Sequence, residues 1–273
     1  MMRIACILLY LSAALAQSEK AFPPHRIAGN LYFVGSESNA CYLLTSSKGH
    51  IIINSGFEET VPIIRAGVEK LGFKITDVRI LLASHAHNDH VAGLATLKEL
   101  TGAKLYIMKG DDTVVASGGK GQYKLNAHWK PAAVDKVLKD RDQVTLGEAT
   151  LTAHLTPGHT RGCTTWTTQV KDGGSTYTAV IIGSPNVLDG YRLVNDPEYP
   201  EIAADFERGF RVLKSLQCDI FLGAHGDYYD MAKKYKQAAK HGQKNPFVDP
   251  AGCRAFIDDR EAAYLKILAA QTK

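Results

Sequence analysis

The chain has 273 residues, of which 45% are hydrophobic and 22% are charged, and its formal net charge is +4. This length and apolar content are sufficient for the buried core of one large domain or two small ones. Basic and acidic residues are interspersed, without a basic block or an alternation of aromatic and basic residues, so the composition argues against a nucleic-acid partner.

The first 16 residues have the three parts of a secretory signal peptide. Arg3 supplies the positive charge, residues 4–11 form a short apolar run, and residues 14–16 are a small-x-small cleavage site. The apolar run is too short to span a bilayer. We predict a signal peptide over residues 1–16, with an uncleaved anchor as the alternative. The mature domain, residues 17–273, is then periplasmic and free of the membrane.

Removal of the signal peptide leaves four cysteines: Cys41, Cys163, Cys218 and Cys253. An oxidising compartment permits disulfides. Four cysteines allow three pairings, and the spacing alone does not choose among them.

The mature chain alternates between short apolar runs and stretches with helical periodicity. Runs separated by Gly and Ser turns predict strands, and apolar residues recurring at three and four positions, such as Val61, Ile64 and Val68, predict helices. The predicted strands are 31–34, 41–44, 51–53, 78–83, 104–108, 144–146, 149–155, 164–170, 177–182 and 218–222. The predicted helices are 57–72, 92–100, 111–116, 200–216, 229–241 and 255–269. Each half has strands first and helices after, which predicts a single α+β domain built as a four-layer αββα sandwich.

One loop concentrates metal-binding side chains. His85, His87, Asp89 and His90 fall within six residues, directly after the strand predicted at 78–83. On an extended backbone, His85 and His87 point to the same side. Imidazole and carboxylate ligands suit zinc better than calcium or magnesium, and the absence of cysteine argues against a thiolate-rich structural site. The alternative is a polar loop whose histidines cap a helix.

Two further histidines follow predicted strands in the same way. His159 lies in the turn Thr156-Pro157-Gly158-His159, and His225 comes after an apolar run. The remaining histidines lack that context, and we interpret them as surface or structural residues. These are His25, His50, His128, His154 and His241.

The order Ser84-His85-x-His87-x-Asp89-His90, then TPGH, then a strand-terminal His225 resembles the metallo-β-lactamase superfamily over nearly the whole mature chain. The resemblance implies the fold of that family, with two zinc ions in a groove at the shared edge of the sandwich. It implies two sets of three ligands. The first zinc would be held by His85, His87 and His159, and the second by Asp89, His90 and His225.

Within the superfamily, the chain is most similar to subclass B3. Thioester hydrolases and many lactonases carry a metal-bridging Asp where this chain has Ser184, and subclass B1 enzymes have Cys there. The segments TPGHTRGCTTW and NPFVDP and the pair Cys218 and Cys253 also resemble subclass B3. The resemblance implies a Cys218–Cys253 disulfide, which leaves Cys41 and Cys163 as buried free thiols.

Two positions depart from the family pattern. Asn54 stands where many members have Asp near the ligands, so the tuning of those ligands is expected to differ without loss of activity. Asn186 stands where some subclass members have Ser, which affects recognition of the substrate carboxylate.

The resemblance leads to a hypothesis of β-lactam ring opening by zinc-bound hydroxide, which would confer antibiotic resistance. Asp89 and Ser184 are the candidate catalytic residues, and Ser184 and Asn186 are the candidate substrate-binding residues. No Ser-x-x-Lys pattern with matching partners supports a serine acyl-enzyme. The alternatives are a related two-zinc lactonase or thioester hydrolase, or an inactive zinc-binding relative. Nothing in the sequence demands an oligomer, and we expect a monomer.

Overall fold

The computed structural model describes residues 19–239 and 244–273. The predicted signal peptide, His241 and the end of the helix predicted at 229–241 lie outside the described residues. Among the helices that are described, none combines the length and the apolar character needed to cross a membrane.

Two sheets face each other. The first has seven strands in chain order: β1 His25–Ala28, β2 Leu31–Phe33, β3 Tyr42–Ser46, β4 Gly49–Ile53, β5 Val78–Leu82, β6 Lys104–Met108 and β7 Lys136–Leu138. The second has five strands in the order β12-β11-β10-β9-β8: β8 Gln143–Leu146, β9 Ala149–Leu155, β10 Thr164–Asp172, β11 Ser175–Ile182 and β12 Ile220–Gly223. Parallel pairing joins β4 to β5, β5 to β6, β6 to β7 and β11 to β12.

Helices cover the outer face of each sheet. They are α1 Val61–Lys70, α2 Asn88–Val91, α3 Leu94–Thr101, α4 Asp112–Ala116, α5 Ile202–Ser215, α6 Met231–Ala238 and α7 Pro250–Gln271. The buried apolar residues form two clusters. In one, residues of α1 and α3 pack against the outward side chains of the first sheet. The other contains residues of α5 and α7 and also fills the space between the two sheets.

The alternation of side chains along β5 builds both apolar clusters. Ile80 and Leu82 point into the layer between the sheets, whereas Leu81 points towards the helices. Except at Arg79, which is exposed, both faces of this strand are buried, which explains why the rest of its sequence is apolar. The predicted single-domain αββα sandwich is confirmed.

The sequence-based elements differ from the structure mainly at their margins. The edge strand β7 was not predicted, because its Lys136 and Val137 are exposed and leave no apolar run. The short strand β1 was also missed. Helix α7 begins at Pro250, five residues before the predicted start, because Pro is favourable in the first turn and Asp249 caps it by accepting the Gly252 amide at 2.9 Å.

The disulfide joins the segment before β12 to the first turn of α7. Cys218 and Cys253 are bonded with their Cα atoms 6.5 Å apart, whereas Cys41 and Cys163 are free and buried. The expected pairing is therefore present in the structure. It fixes the start of the strand whose other end leads to His225.

Candidate metal centre

The six candidate ligands lie on three loops that leave strand ends at one edge of the sandwich. His85 and His87 follow β5, and the single turn of α2 then carries Asp89 and His90. His159 follows β9 and His225 follows β12. The two sheets meet here through their backbones, because the Thr164 amide at the start of β10 donates to the Ser84 carbonyl at 2.7 Å.

Three imidazoles form what we call the first triad: His85, His87 and His159. Their ring centroids lie 4.8 Å (His85 and His87), 4.6 Å (His85 and His159) and 4.6 Å (His87 and His159) apart. One ligand atom from each lies within 4.8 Å of the other two, and all three residues are buried. This spacing suits one shared metal ion.

The remaining three ligands form the second triad: Asp89, His90 and His225. The Asp89 Oδ2 atom lies 3.1 Å from His90 Nε2 and 3.5 Å from His225 Nε2. The two Nε2 atoms are 3.2 Å apart. The rings of His85 and His90 are 4.1 Å apart, so the two triads are adjacent.

The donor chemistry of both triads fits a bound cation. His159 Nδ1 donates to the Asn186 carbonyl at 2.7 Å and His225 Nδ1 donates to the Ser38 carbonyl at 3.2 Å, because a carbonyl oxygen can only accept. Each Nε2 therefore carries a lone pair. When lone pairs point at each other with no proton between them, a metal ion can bind to all of them. Imidazole nitrogen together with carboxylate oxygen is a ligand set that suits zinc.

Burial keeps the three imidazoles of the first triad neutral, which is the state that binds metal. Burial first, and the neighbouring imidazoles second, lower the pKa of His85 and of His87 well below the ordinary value. Burial lowers the pKa of His159 to about 4. Burial opposes ionisation of Asp89, but the adjacent His90 and His225 outweigh it and hold the pKa of its carboxyl below the ordinary range.

The metal-free protein is expected to lose stability as the pH falls. The pKa of His159 is about 4 when folded and near 6.5 when unfolded, so the unfolded chain binds more protons between those values. The stability that this depressed pKa confers is full above pH 6.5 and declines towards pH 4. Between pH 7 and pH 5 the expected loss from His159 is about 2 kcal/mol.

The contribution of His159 is measured by urea unfolding of the metal-free protein at pH 7 and pH 5. The same measurement on His159→Asn provides the comparison. The difference between the two proteins removes the contribution of groups that do not interact with His159, including Asp111, whose pKa burial raises to about 6 and which acts in the opposite direction. Equal pH dependence in both proteins would contradict the prediction.

The candidate substrate-binding residues lie beside the triads, around a tyrosine that sequence analysis missed. Asn186 Nδ2 donates to the Tyr228 hydroxyl at 2.8 Å, and the Ser184 hydroxyl lies 3.2 Å from the same oxygen. Asn186 and Tyr228 line the cavity at the metal centre, whereas Ser184 is only 3% exposed and reaches it through Tyr228. The only sequence signal for Tyr228 is its position three residues after His225.

The cavity beside the triads has a volume of about 450 Å³. Phe57, Leu125 and Leu188 supply apolar walls, and Tyr228 and Asn186 supply polar atoms. Among the described residues, no Lys or Arg lines it. An anionic ligand would therefore rely on a metal ion and on neutral donors.

Asn54 supports the first triad through its amide. It has a left-handed backbone (φ 65°), its Oδ1 accepts the Ser84 amide at 2.7 Å, and its Nδ2 donates to the Ala40 carbonyl at 3.1 Å. A carboxylate could accept the first bond but could not donate the second. Asn is thus matched to both partners at this position.

The histidines interpreted as structural or surface residues lie outside the triads where they are described. His25 stacks against Phe33 and Phe247, His154 is hydrogen-bonded to Thr167 at 2.8 Å, and His128 is exposed.

Comparison with known proteins gives one family. The family model of the metallo-beta-lactamase superfamily matches residues 34–172. The native FEZ-1 metallo-beta-lactamase from Legionella gormanii is 49% identical, with 93% of this chain and 98% of that chain covered and a TM-score of 0.91. BJP-1, a subclass B3 metallo-beta-lactamase of Bradyrhizobium japonicum, is 34% identical, with 95% and 98% covered and a TM-score of 0.87.

Curated relatives match over a shorter segment. The hydroxyacylglutathione hydrolase of Rhodopseudomonas palustris is 32% identical over 102 residues, which are 37% of this chain and 32% of that protein. The hydroxyacylglutathione hydrolase of Rhodospirillum rubrum is 31% identical over 36% of this chain and 31% of that protein. The chain thus spans about a third of the length of these relatives.

Proposed function

The chain belongs to the metallo-beta-lactamase superfamily, and from this premise we propose that it is a di-zinc hydrolase that opens the β-lactam ring of antibiotics and so confers resistance to them. The composition of the centre carries the proposal. Five imidazoles and one carboxylate converge, and the loop after β11 contributes Ser184 where the thioester hydrolases of this fold have a metal-bridging carboxylate.

The six candidate ligands divide between two ions. The first triad would hold one zinc ion and the second triad the other. Zinc, when bound, lowers the pKa of a coordinated water to about 7 and polarises a carbonyl. The chain's own contribution is to keep the imidazoles of the first triad neutral and to fix the tautomers of His159 and His225 through the Asn186 and Ser38 carbonyls.

Asp89 supplies the one carboxylate among the six ligands. Its Oδ2 lies at the centre of the second triad, within 3.5 Å of both imidazoles. The carboxylate is ionised at neutral pH, since the pKa of Asp89 lies below its ordinary value. It can therefore accept a hydrogen bond from the attacking water and orient a water lone pair towards the substrate carbonyl.

The cluster of Ser184, Asn186 and Tyr228 would bind the substrate's polar groups. The Tyr228 oxygen accepts a hydrogen bond from Asn186, so the Tyr228 hydroxyl proton can be donated to another group. Burial raises the pKa of Tyr228, so the hydroxyl stays protonated and can donate to the substrate carboxylate. Ser184 acts in this scheme by holding the Tyr228 hydroxyl.

The walls of the cavity exclude water around the reacting amide. Phe57, Leu125 and Leu188 offer apolar surface to the ring system and its substituents. Leu125 is 37% exposed, which places an apolar side chain where an incoming ligand can cover it. These side chains would favour bulky, partly apolar anions over small ones.

A second candidate function is thioester hydrolysis. The matches to hydroxyacylglutathione hydrolases favour it, although they cover only about a third of those proteins. The serine at position 184 and the matches to β-lactamases over more than nine-tenths of the chain favour β-lactams.

Ring opening of a chromogenic cephalosporin by the purified mature protein tests the proposal. The same preparation is assayed with added zinc, after chelation and after zinc is restored, beside a glutathione thioester and an acyl-homoserine lactone. We expect turnover of the cephalosporin that disappears with chelation and returns with zinc. A preparation that holds two zinc ions but opens only the thioester or the lactone would refute the β-lactam assignment, and one that turns over nothing would indicate an inactive zinc-binding relative.

We also propose export to the periplasm and action as a monomer. The signal-like residues 1–16 and the Cys218–Cys253 disulfide support export, since disulfides persist in oxidising compartments.

A further inference from the structure

Asp111 lies between the two loops that carry the first triad. Its Oδ2 accepts the Ala86 amide at 2.8 Å and the Thr160 hydroxyl at 2.7 Å, and its Oδ1 accepts the Gly162 amide at 2.9 Å. Asp111 is 3% exposed. All three of its hydrogen-bonded partners belong to ligand-bearing segments.

The positions of those partners tie Asp111 to the ligands. Ala86 separates His85 from His87, and Thr160 directly follows His159. The loop that carries His85 and His87 and the loop that carries His159 are therefore bonded to the same carboxylate, in each case through a residue adjacent to a ligand. A shift of either loop would break a hydrogen bond to a buried charge, which is costly.

Two glycines let the loops approach closely. A Cβ at Gly162 would lie 2.5 Å from the Asp111 amide nitrogen, and a Cβ at Gly110 would lie 2.9 Å from the Arg161 carbonyl carbon. Gly110 also has a φ of 104°, which side chains rarely adopt. The two segments thus pack backbone against backbone around the carboxylate.

The second triad is anchored elsewhere. The His90 carbonyl accepts the Ser55 amide at 2.9 Å and the Ser55 hydroxyl at 3.1 Å, and His225 is held by the Ser38 carbonyl. None of the three hydrogen bonds of Asp111 goes to these anchors.

We infer that Asp111 is a positioning residue for the first triad: it sets the separation of His159 from His85 and His87, and with it the affinity of that triad for its metal ion. The inference rests on the proposed metal centre. It assigns the two metal subsites different supports, so that they can be weakened separately.

Asp111→Asn is the informative variant. Whichever way the amide is turned, its NH₂ group faces the N–H of Ala86 or Gly162, so one donor meets another. Thr160→Val removes one hydrogen bond to the same carboxylate while leaving both backbone amides paired. Asp135→Asn is the matched control, because Asp135 also accepts a backbone amide, that of Leu105 at 2.8 Å, but at a strand away from the triads.

Zinc affinity, measured by competition with a chromophoric chelator, tests the inference without requiring turnover. Measurements in an Asp89→Asn background, where the second triad lacks its carboxylate, assign the affinity to the first triad. Asp111→Asn is expected to weaken this binding by about 10- to 100-fold, Thr160→Val by several-fold, and Asp135→Asn not at all. In the parent background, Asp111→Asn should lower kcat with little change in KM.

Unchanged zinc affinity in a folded Asp111→Asn would overturn the inference. If that variant does not fold, unchanged affinity in Thr160→Val would do the same. A weakening equal to that of Asp135→Asn would show only a general loss of stability and would also overturn it. A wild-type protein that binds two zinc ions but opens no β-lactam would refute the proposed function and leave this inference standing.

Discussion

Asp89→Asn is expected to reduce kcat/KM for β-lactam opening by about 10²–10³-fold, with little effect on the fold. The substitution preserves shape but removes the single negative charge from the second triad. The amide also places an NH₂ group or a neutral oxygen opposite His90 Nε2 and His225 Nε2, which lie 3.1 and 3.5 Å from Oδ2. Metal affinity at this triad and the orientation of the attacking water should both suffer.

Asp227→Asn is the matched control, since Asp227 lines the same cavity but is exposed and belongs to neither triad. Steady-state kinetics with a chromogenic cephalosporin and zinc stoichiometry by atomic absorption measure the two effects. Comparable losses in both variants would mean that the negative charge of the cavity as a whole matters, and that Asp89 has no special role as a ligand.

Trp166→Ala is expected to destabilise the protein by about 3–5 kcal/mol. The side chain is 1% exposed and belongs to the core between the sheets. Its Nε1 donates to the Ala83 carbonyl at 3.1 Å, so the indole joins β10 of the second sheet to the end of β5, two residues before His85. The loss should therefore combine a cavity with a broken link next to the first triad.

Trp166→Phe separates these two effects, because it keeps most of the ring and removes the N–H. We expect it to cost about 1–3 kcal/mol, since the buried Ala83 carbonyl loses its donor. Trp129→Phe is the matched control: the Trp129 Nε1 atom is buried without a hydrogen-bond partner among the described residues. Urea denaturation of the zinc-loaded proteins measures both, and equal costs for the two Trp→Phe variants would contradict the role given to the Ala83 bond.

The sequence by itself determined the features that depend on near neighbours in the chain. The spacing of His85, His87, Asp89 and His90 after an apolar strand identified a metal-binding loop, because a strand followed by a turn places such side chains together locally. The predominantly apolar sequence of β5 predicted a buried strand, and the structure buries every residue of it except Arg79. The order of strands and helices gave the layered architecture, since each amphipathic face needs a partner layer.

The family resemblance supplied what spacing could not. The pairing of Cys218 with Cys253 was one of three possibilities until the resemblance was considered, and the structure contains that bond. His159 and His225 were singled out by their position after strands, and the structure brings them to the same edge as the first loop.

Only the tertiary structure identified Asp111, Tyr228 and the contact of Trp166 with Ala83. Their partners are 25 to 83 residues away in the chain: Asp111 and Ala86 are 25 apart, Tyr228 and Asn186 are 42 apart, and Trp166 and Ala83 are 83 apart. Neither an Asp in a polar stretch nor a Tyr three residues after a histidine has a local pattern that distinguishes it from a surface residue. These roles exist only because two sheets close on each other and bring separate loops to one edge, so hydrogen bonds across that edge are decided by packing and not by local propensity.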